Sequence, residues 1–121
     1  MITLTGKKVS IPDLFCNCSG KPVHNYSVTK PSSNVQYFAC HDGLTLHDSI
    51  VNNIPLDEST EEGKIEAVNR LKLANALLLT SQGIAFLHAG QERGRTKTAF
   101  TTAGTDDCET IGNFVKNSYD S

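Results

Sequence analysis

At 121 residues, with 38% hydrophobic and 20% charged side chains, the chain has the length of one ordinary domain and a composition that argues against extended disorder. A formal net charge of −2 supplies no basic field for nucleic acid and no polybasic patch for a membrane surface. The longest apolar stretch, Leu73 to Leu79 broken by Asn75, falls far short of the ~20 residues that cross a bilayer, and the start, Met1-Ile-Thr-Leu-Thr-Gly-Lys-Lys8, lacks the apolar segment of a secretory signal.

The segment 1–33 is rich in Ser, Pro, Gly, Asn and Lys without sustained periodicity, and reads as irregular loop. Two of the 4 cysteines, Cys16 and Cys18, lie here one residue apart, which is neither a redox nor a zinc spacing; with Cys40 and Cys108 they are expected to be free thiols. Asn17-Cys18-Ser19 and Asn25-Tyr26-Ser27 match the glycosylation tripeptide, which carries meaning only in a secretory pathway. No compartment follows from these features.

Asn34-Val-Gln-Tyr-Phe-Ala-Cys40 is β-branched and aromatic and predicts a buried strand that stops at His41-Asp42-Gly43. The connection 41–56 carries two histidines and two aspartates. Connections beyond about 12–15 residues are uncommon unless functional, so it is a candidate functional loop with room for a helical turn. Ser59-Thr60-Glu61-Glu62 has the form of a capping box with Ser59 as N-cap. From there Ile65, Val68, Leu71, Ala74 and Leu78 recur at helical spacing to about Gln82, with Gly83 suited to a left-handed C-cap. Gly83-Ile-Ala-Phe-Leu-His88 predicts a second apolar strand, and 89–121 reads as polar loop. Strand, loop, helix and strand in that order make a βαβ unit with parallel strands, the helix crossing over them in the right-handed sense. One such unit cannot cover both faces of its own sheet, so the chain is expected to be part of a larger α/β fold.

His41-Asp42 falls at the C-terminal end of the first strand, where α/β barrels carry their catalytic groups. The stretch Asn34-Val-Gln-Tyr-Phe-Ala-Cys-His-Asp-Gly-Leu-Thr-Leu-His-Asp-Ser-Ile50 resembles the seventh strand and loop of pullulanases, debranching glycoside hydrolases of the alpha-amylase superfamily. Arg70-Leu-Lys-Leu-Ala-Asn-Ala-Leu-Leu-Leu-Thr-Ser-Gln-Gly-Ile-Ala-Phe-Leu-His-Ala-Gly-Gln-Glu92 resembles the next helix and the eighth strand. Gly94-Arg-Thr-Lys97 and Asn117-Ser-Tyr119 continue the likeness in order, which is strong over 34–97 and thinner at 117–121.

The resemblance implies a C-terminal fragment of a TIM (β/α)8 barrel: an irregular segment 1–33, a βαβ part 34–97 and a loop 98–121. It implies an α-glucan substrate (pullulan, amylopectin or glycogen), retaining hydrolysis of α-1,6 bonds, no cofactor, and room for a structural calcium ion in the parent family. Asp42 then matches the transition-state-stabilising carboxylate and His41 a donor to the same sugar ring, while the nucleophile and the acid/base lie on earlier strands. An isolated chain of this kind is expected to be inactive and to self-associate through its uncovered sheet. Glu92, Arg95 and Tyr119 are candidate glucan contacts, with loop ion pairing the rival reading for Glu92 and Arg95. Asp48 reads as loop-fixing rather than catalytic. His88 reads equally as a core or a ligand-facing histidine. Gly43 and Arg93 depart from the Asn and the apolar aromatic common in the family. Two alternatives stand beside this reading: a metal-dependent hydrolase using His41, Asp42, His47 and Asp48, and a non-catalytic carbohydrate-binding or interaction fragment.

Overall fold

The structure, a computed structural model, describes residues 8–20, 30–98 and 109–116. Tyr119, Cys108 and the Asn25 tripeptide lie outside the described residues. The architecture is α/β. In chain order come α1 (Ile11–Cys18), a 3₁₀ turn at Pro31–Ser33, β1 (Val35–Gln36), α2 (Leu46–Asn53), α3 (Glu61–Thr80), β2 (Ile84–Ala85), a 3₁₀ turn at Gln91–Arg93, and a hairpin of β3 (Thr110–Ile111) and β4 (Phe114–Val115).

The central expectation holds: β1 and β2 are parallel neighbours, with Val35 opposite Ile84 and Gln36 opposite Ala85. Their ladder is short, formed by Ile84 N–H to the Asn34 carbonyl and Phe86 N–H to the Gln36 carbonyl, both at 2.9 Å. The strands are not the buried ribbons predicted from their apolar character. Val35, Tyr37, Ile84, Phe86 and Leu87 are all exposed, because among the described residues the two-stranded sheet has no further strand beside it. Gly83 precedes β2 with φ +125°, and a Cβ there would come within 2.9 Å of the Asn34 carbonyl. It is a close-approach glycine of the sheet, not the helix cap: α3 ends at Thr80 with Ser81 as C-cap.

Helix α3 runs unbroken through Lys72 and buries one stripe, Gly63, Ala67, Leu71, Ala74 and Leu78, spaced to share one face. That stripe differs from the predicted one, since Ile65 and Val68 are exposed. The helix's apolar residues lie nearly all round, so periodicity alone could not select the buried face. Its N-cap is Thr60, whose hydroxyl accepts from the Gly63 N–H at 3.1 Å, and Ser59 instead bonds Asp57. With Gly63 at N3 no reciprocal capping box forms. Glycine is required there because a Cβ would overlap the Asp57 carbonyl.

α3 packs against α2, α1 and the Gln91–Arg93 turn rather than squarely across the strands. The core joins Leu46 and Ile50 of α2 to Leu71 and Ala74 of α3, with Ala39 after β1 and Phe38, Ile54 and Leu56 at its edge. Two segments read as irregular carry structure. Ser10 accepts from the Asp13 N–H to start α1, with Pro12 in the first turn. The end of α1 is tied to the entry of β2, since Gln82 N–H donates to the Cys18 carbonyl at 2.7 Å. At the other end the β3–β4 hairpin is fastened by Val115 N–H to the Lys97 carbonyl at 2.8 Å. Cys16, Cys18 and Cys40 are free thiols.

Candidate functional site

Because β1 and β2 run parallel, the residues that follow both strands emerge at one end of the sheet. His41 and His88 meet this condition, and the charge of His41 is felt at His88. His41 Nε2 lies 3.2 Å from Asp42 Oδ2, with side chains 74% and 59% exposed, so the pair faces solvent. His88 Nε2 lies 3.3 Å from Arg95 Nη1. A guanidinium only donates, so this ring nitrogen accepts and the imidazole is neutral. Burial, then the charges of Arg95, Lys97 and His41, push the His88 pKa below its ordinary value in agreement with that state.

The other candidates divide. Arg95 joins His88 at the sheet end and also lines an open depression with Gly90 and Gly94, outside which His41 and Asp42 lie. Glu92 pairs with its neighbour Arg93 at 3.4 Å as an exposed loop ion pair. Tyr119 falls outside the described residues.

Behind the exposed pair sits a buried polar node. Asp48, 0% exposed, accepts from Thr96 Oγ1 at 2.5 Å and from the Lys97 N–H at 2.9 Å, and meets His47 Nδ1 at 3.2 Å. Burial alone raises its pKa. Hydrogen bonds from His47, Thr96, the Lys97 N–H and Thr45 outweigh burial and hold the carboxyl below its ordinary 3.8. The hydrogen bond to Asp48, against the cost of burial and with help from Glu58 at 2.9 Å, raises His47 above its ordinary 6.5. Asp48 therefore ties α2 to the segment after β2, which is the loop-fixing role.

His41, Asp42, His47 and Asp48 form two separate pairs, and both ring nitrogens of His47 are engaged by carboxylates. Among the described residues no group of three His, Cys, Asp or Glu side chains is placed to hold a metal ion, since Asp48 and Glu58 bond to the His47 ring instead.

Sequence reasoning missed Lys97, which is 3% exposed, and Gln91, buried with its Nε2 donating to Asn75 Oδ1 at 2.7 Å and its Oε1 without a protein partner. Both lie in segments that carry the family resemblance, but long polar side chains ordinarily signal solvent and not burial.

No protein-family profile matches the chain. Individual relatives do. The chain is 43% identical over 94 residues to Pullulanase A of Streptococcus pneumoniae, covering 78% of this chain and 7% of that protein. It is 34% identical over 70 residues to the pullulanase of Bacillus subtilis, covering 58% of this chain and 9% of that one. Among solved structures it superposes on the group B Streptococcus pullulanase SAP with TM-score 0.79 and 35% identity, over 97% of this chain and 17% of that chain. On the catalytic module of the glycogen-degrading pneumococcal virulence factor SpuA the TM-score is 0.82 with 36% identity, over 97% of this chain and 19% of that chain. By these relatives the α/β unit is of the glycoside hydrolase class. More narrowly, the chain belongs with the pullulanases and spans less than a fifth of each of these four relatives.

Proposed function

We propose that the chain forms the C-terminal part of a pullulanase-type (β/α)8 barrel, its β1 and β2 being the seventh and eighth barrel strands, and that Asp42 acts in retaining hydrolysis of α-1,6 bonds in an α-glucan. The observation that carries this is the His41–Asp42 pair in the loop that follows β1 of a parallel strand pair, within a segment that superposes on a catalytic module.

The chemistry runs as follows. A retaining cleavage passes through an oxocarbenium-like transition state between a nucleophile and an acid/base about 5–5.5 Å apart. Asp42 serves as a third carboxylate. It accepts from ring hydroxyls in the ground state and gains strength as positive charge grows on the sugar. A fixed anion counts most there because water is excluded when glucan is bound. His41, 3.2 Å from that carboxylate, donates to the same ring and holds Asp42 in place. Arg95 and, among exposed loop residues, Glu92 contact the glucan, and Tyr119, outside the described residues, is retained as a contact on the resemblance alone. SAP has been solved with maltotetraose, which supports a malto-oligosaccharide as the ligand class.

The resemblance assigns neither the nucleophile nor the acid/base to this chain, so alone it has no measurable activity on pullulan. The exposed apolar sheet leads it to self-associate. The test is a chimera in which the whole chain replaces the segment it matches in SAP. Asp42→Asn there should lower turnover on pullulan by about 10²-fold or more, leaving maltotetraose affinity within about tenfold. His41→Ala should be milder, since it removes a contact and no needed charge. Near-normal turnover in Asp42→Asn would sink the assignment and leave the second reading, a non-catalytic glucan-binding segment, which the high exposure of the pair favours.

A further inference from the structure

The loop that carries Asp42 is held from below by a lysine. Lys97 is 3% exposed, yet its ammonium donates to the Gly43 carbonyl at 2.9 Å and to the Lys116 carbonyl at 3.1 Å. Its own N–H donates to Asp48 Oδ2 at 2.9 Å, and its carbonyl accepts from Val115 N–H at 2.8 Å. One residue thus knots the loop after β1, helix α2 and the β3–β4 hairpin.

Gly43 directly follows Asp42. It has φ +78°, a left-handed backbone that glycine adopts without strain, and a Cβ built there meets nothing within 4 Å. The hydrogen bond from Lys97 to its carbonyl holds the Gly43–Leu44 peptide plane, one residue beyond Asp42. Burying an ammonium is costly unless it is fully bonded, and an apolar side chain commonly serves stability as well or better. A buried cation bonded to the Gly43–Leu44 peptide, one residue beyond Asp42, is therefore poorly explained by stability alone.

We infer that Lys97 is a positioning residue for Asp42, fixing through the Gly43 carbonyl the direction in which the carboxylate faces bound α-glucan. This rests on the proposed role of Asp42. Geometry of this kind matters because a displacement of about 1 Å in a reacting group can cost about 10²-fold in rate.

The test uses the SAP chimera with steady-state kinetics on pullulan. Lys97→Met keeps the length of the side chain and removes the ammonium. It should lower kcat by about 10²-fold while KM moves less than about threefold. In an Asp42→Asn background the same substitution should cost less than about threefold, because the group it positions is already impaired. Lys97→Arg, which retains the cation, should recover part of kcat. If Lys97→Met unfolds the chimera, Lys97→Gln, whose neutral side chain is one atom shorter and loses the charge-assisted contact to Gly43, takes its place in the same double-mutant comparison. An equal loss in both backgrounds overturns the positioning role and leaves Asp42's role standing. An Asp42→Asn chimera with near-normal turnover removes Asp42's role and this inference with it.

Discussion

The two halves of this molecule are inside out relative to one another. Around α2, ionisable groups are buried: Asp48 and Lys97 lie in the interior, knitted to Thr96 and to the backbone of three segments. Around the β1–β2 sheet, aromatic and branched side chains face solvent, with Tyr37 and Phe86 in edge-to-face contact at 6.2 Å. The difference separates what holds this segment together from what it offers. The polar node is complete within the chain, because its donors and acceptors meet each other. The apolar sheet is complete only when something covers it, which fits a chain that spans 17% of SAP.

The sharpest way to break this contrast is to cut the node. Asp48→Ala leaves the Lys97 N–H, Thr96 hydroxyl and His47 ring without their shared acceptor, and should destabilise by about 3–5 kcal/mol. Ile50→Ala, in the apolar core beside it, should cost about 2–5 kcal/mol by transfer and cavity terms. Thermal or denaturant unfolding checks both. Phe86→Ser on the sheet should behave differently, changing stability little and reducing self-association measured by sedimentation. Loss of stability without any change in association would show that the sheet face is already covered in solution.

The same division explains what could be read from sequence. The parallel pairing was legible because β-branched and aromatic runs separated by a capped helical pattern admit few topologies, but of the runs 34–40 and 84–88 only Val35–Gln36 and Ile84–Ala85 pair. The depth of the strands was not legible, because burial depends on neighbouring strands that supply the covering surface. Helix α2 lay hidden in what reads as a loop, although Thr45 three residues before Asp48 is a cap signal; its hydroxyl accepts from the Asp48 N–H at 3.1 Å. Helix α1 was masked in the same way by turn-rich neighbours, despite Ser10, Pro12 and Asp13. The hairpin had a signal in Gly112-Asn113 between Ile111 and Phe114, too short to stand out. His41 and Asp42 lie beyond the end of β1, which stops at Gln36 rather than at Cys40 as the apolar run suggests. Lys97 was missed, since nothing local in a sequence distinguishes a buried ammonium from a solvated one.

A titration sharpens the node. The folded pKa of His47 is raised above 6.5, so its contribution is fully present below pH 6.5 and is lost as pH rises through the raised value. The folded pKa of Asp48 is lowered below 3.8, so its contribution is present above pH 3.8 and is lost as pH falls through the lowered value. Together they are strongest between pH 3.8 and 6.5. His88 acts in the sense opposite to His47 and the same as Asp48: its lowered pKa makes stability fall as pH drops through the folded value. Melting curves of His47→Gln against the unsubstituted chain isolate the first effect. The difference in Tm should shrink as pH rises beyond 6.5, and a constant difference would mean that His47 carries no proton in the folded node.

The smallest effect concerns which residue begins α3. Two hydroxyls compete for the role, and they differ in what they accept from. Thr60 Oγ1 accepts from the Gly63 N–H at 3.1 Å, satisfying one of the helix's orphan donors, and also donates to the Asp57 carbonyl at 2.7 Å. Ser59 Oγ donates to Asp57 Oδ1 at 2.6 Å and touches no helical N–H. Thr60→Ala should therefore cost about 1 kcal/mol, as N-cap losses commonly do. Ser59→Ala should stay within about 0.5 kcal/mol, since it removes an exposed contact. The loss at Thr60 should leave self-association unchanged, because the cap lies on the α3 end of the molecule and not on the sheet. Equal costs for the two alanines would return the cap to Ser59 and place Glu62 back in a reciprocal box, against the geometry of Gly63.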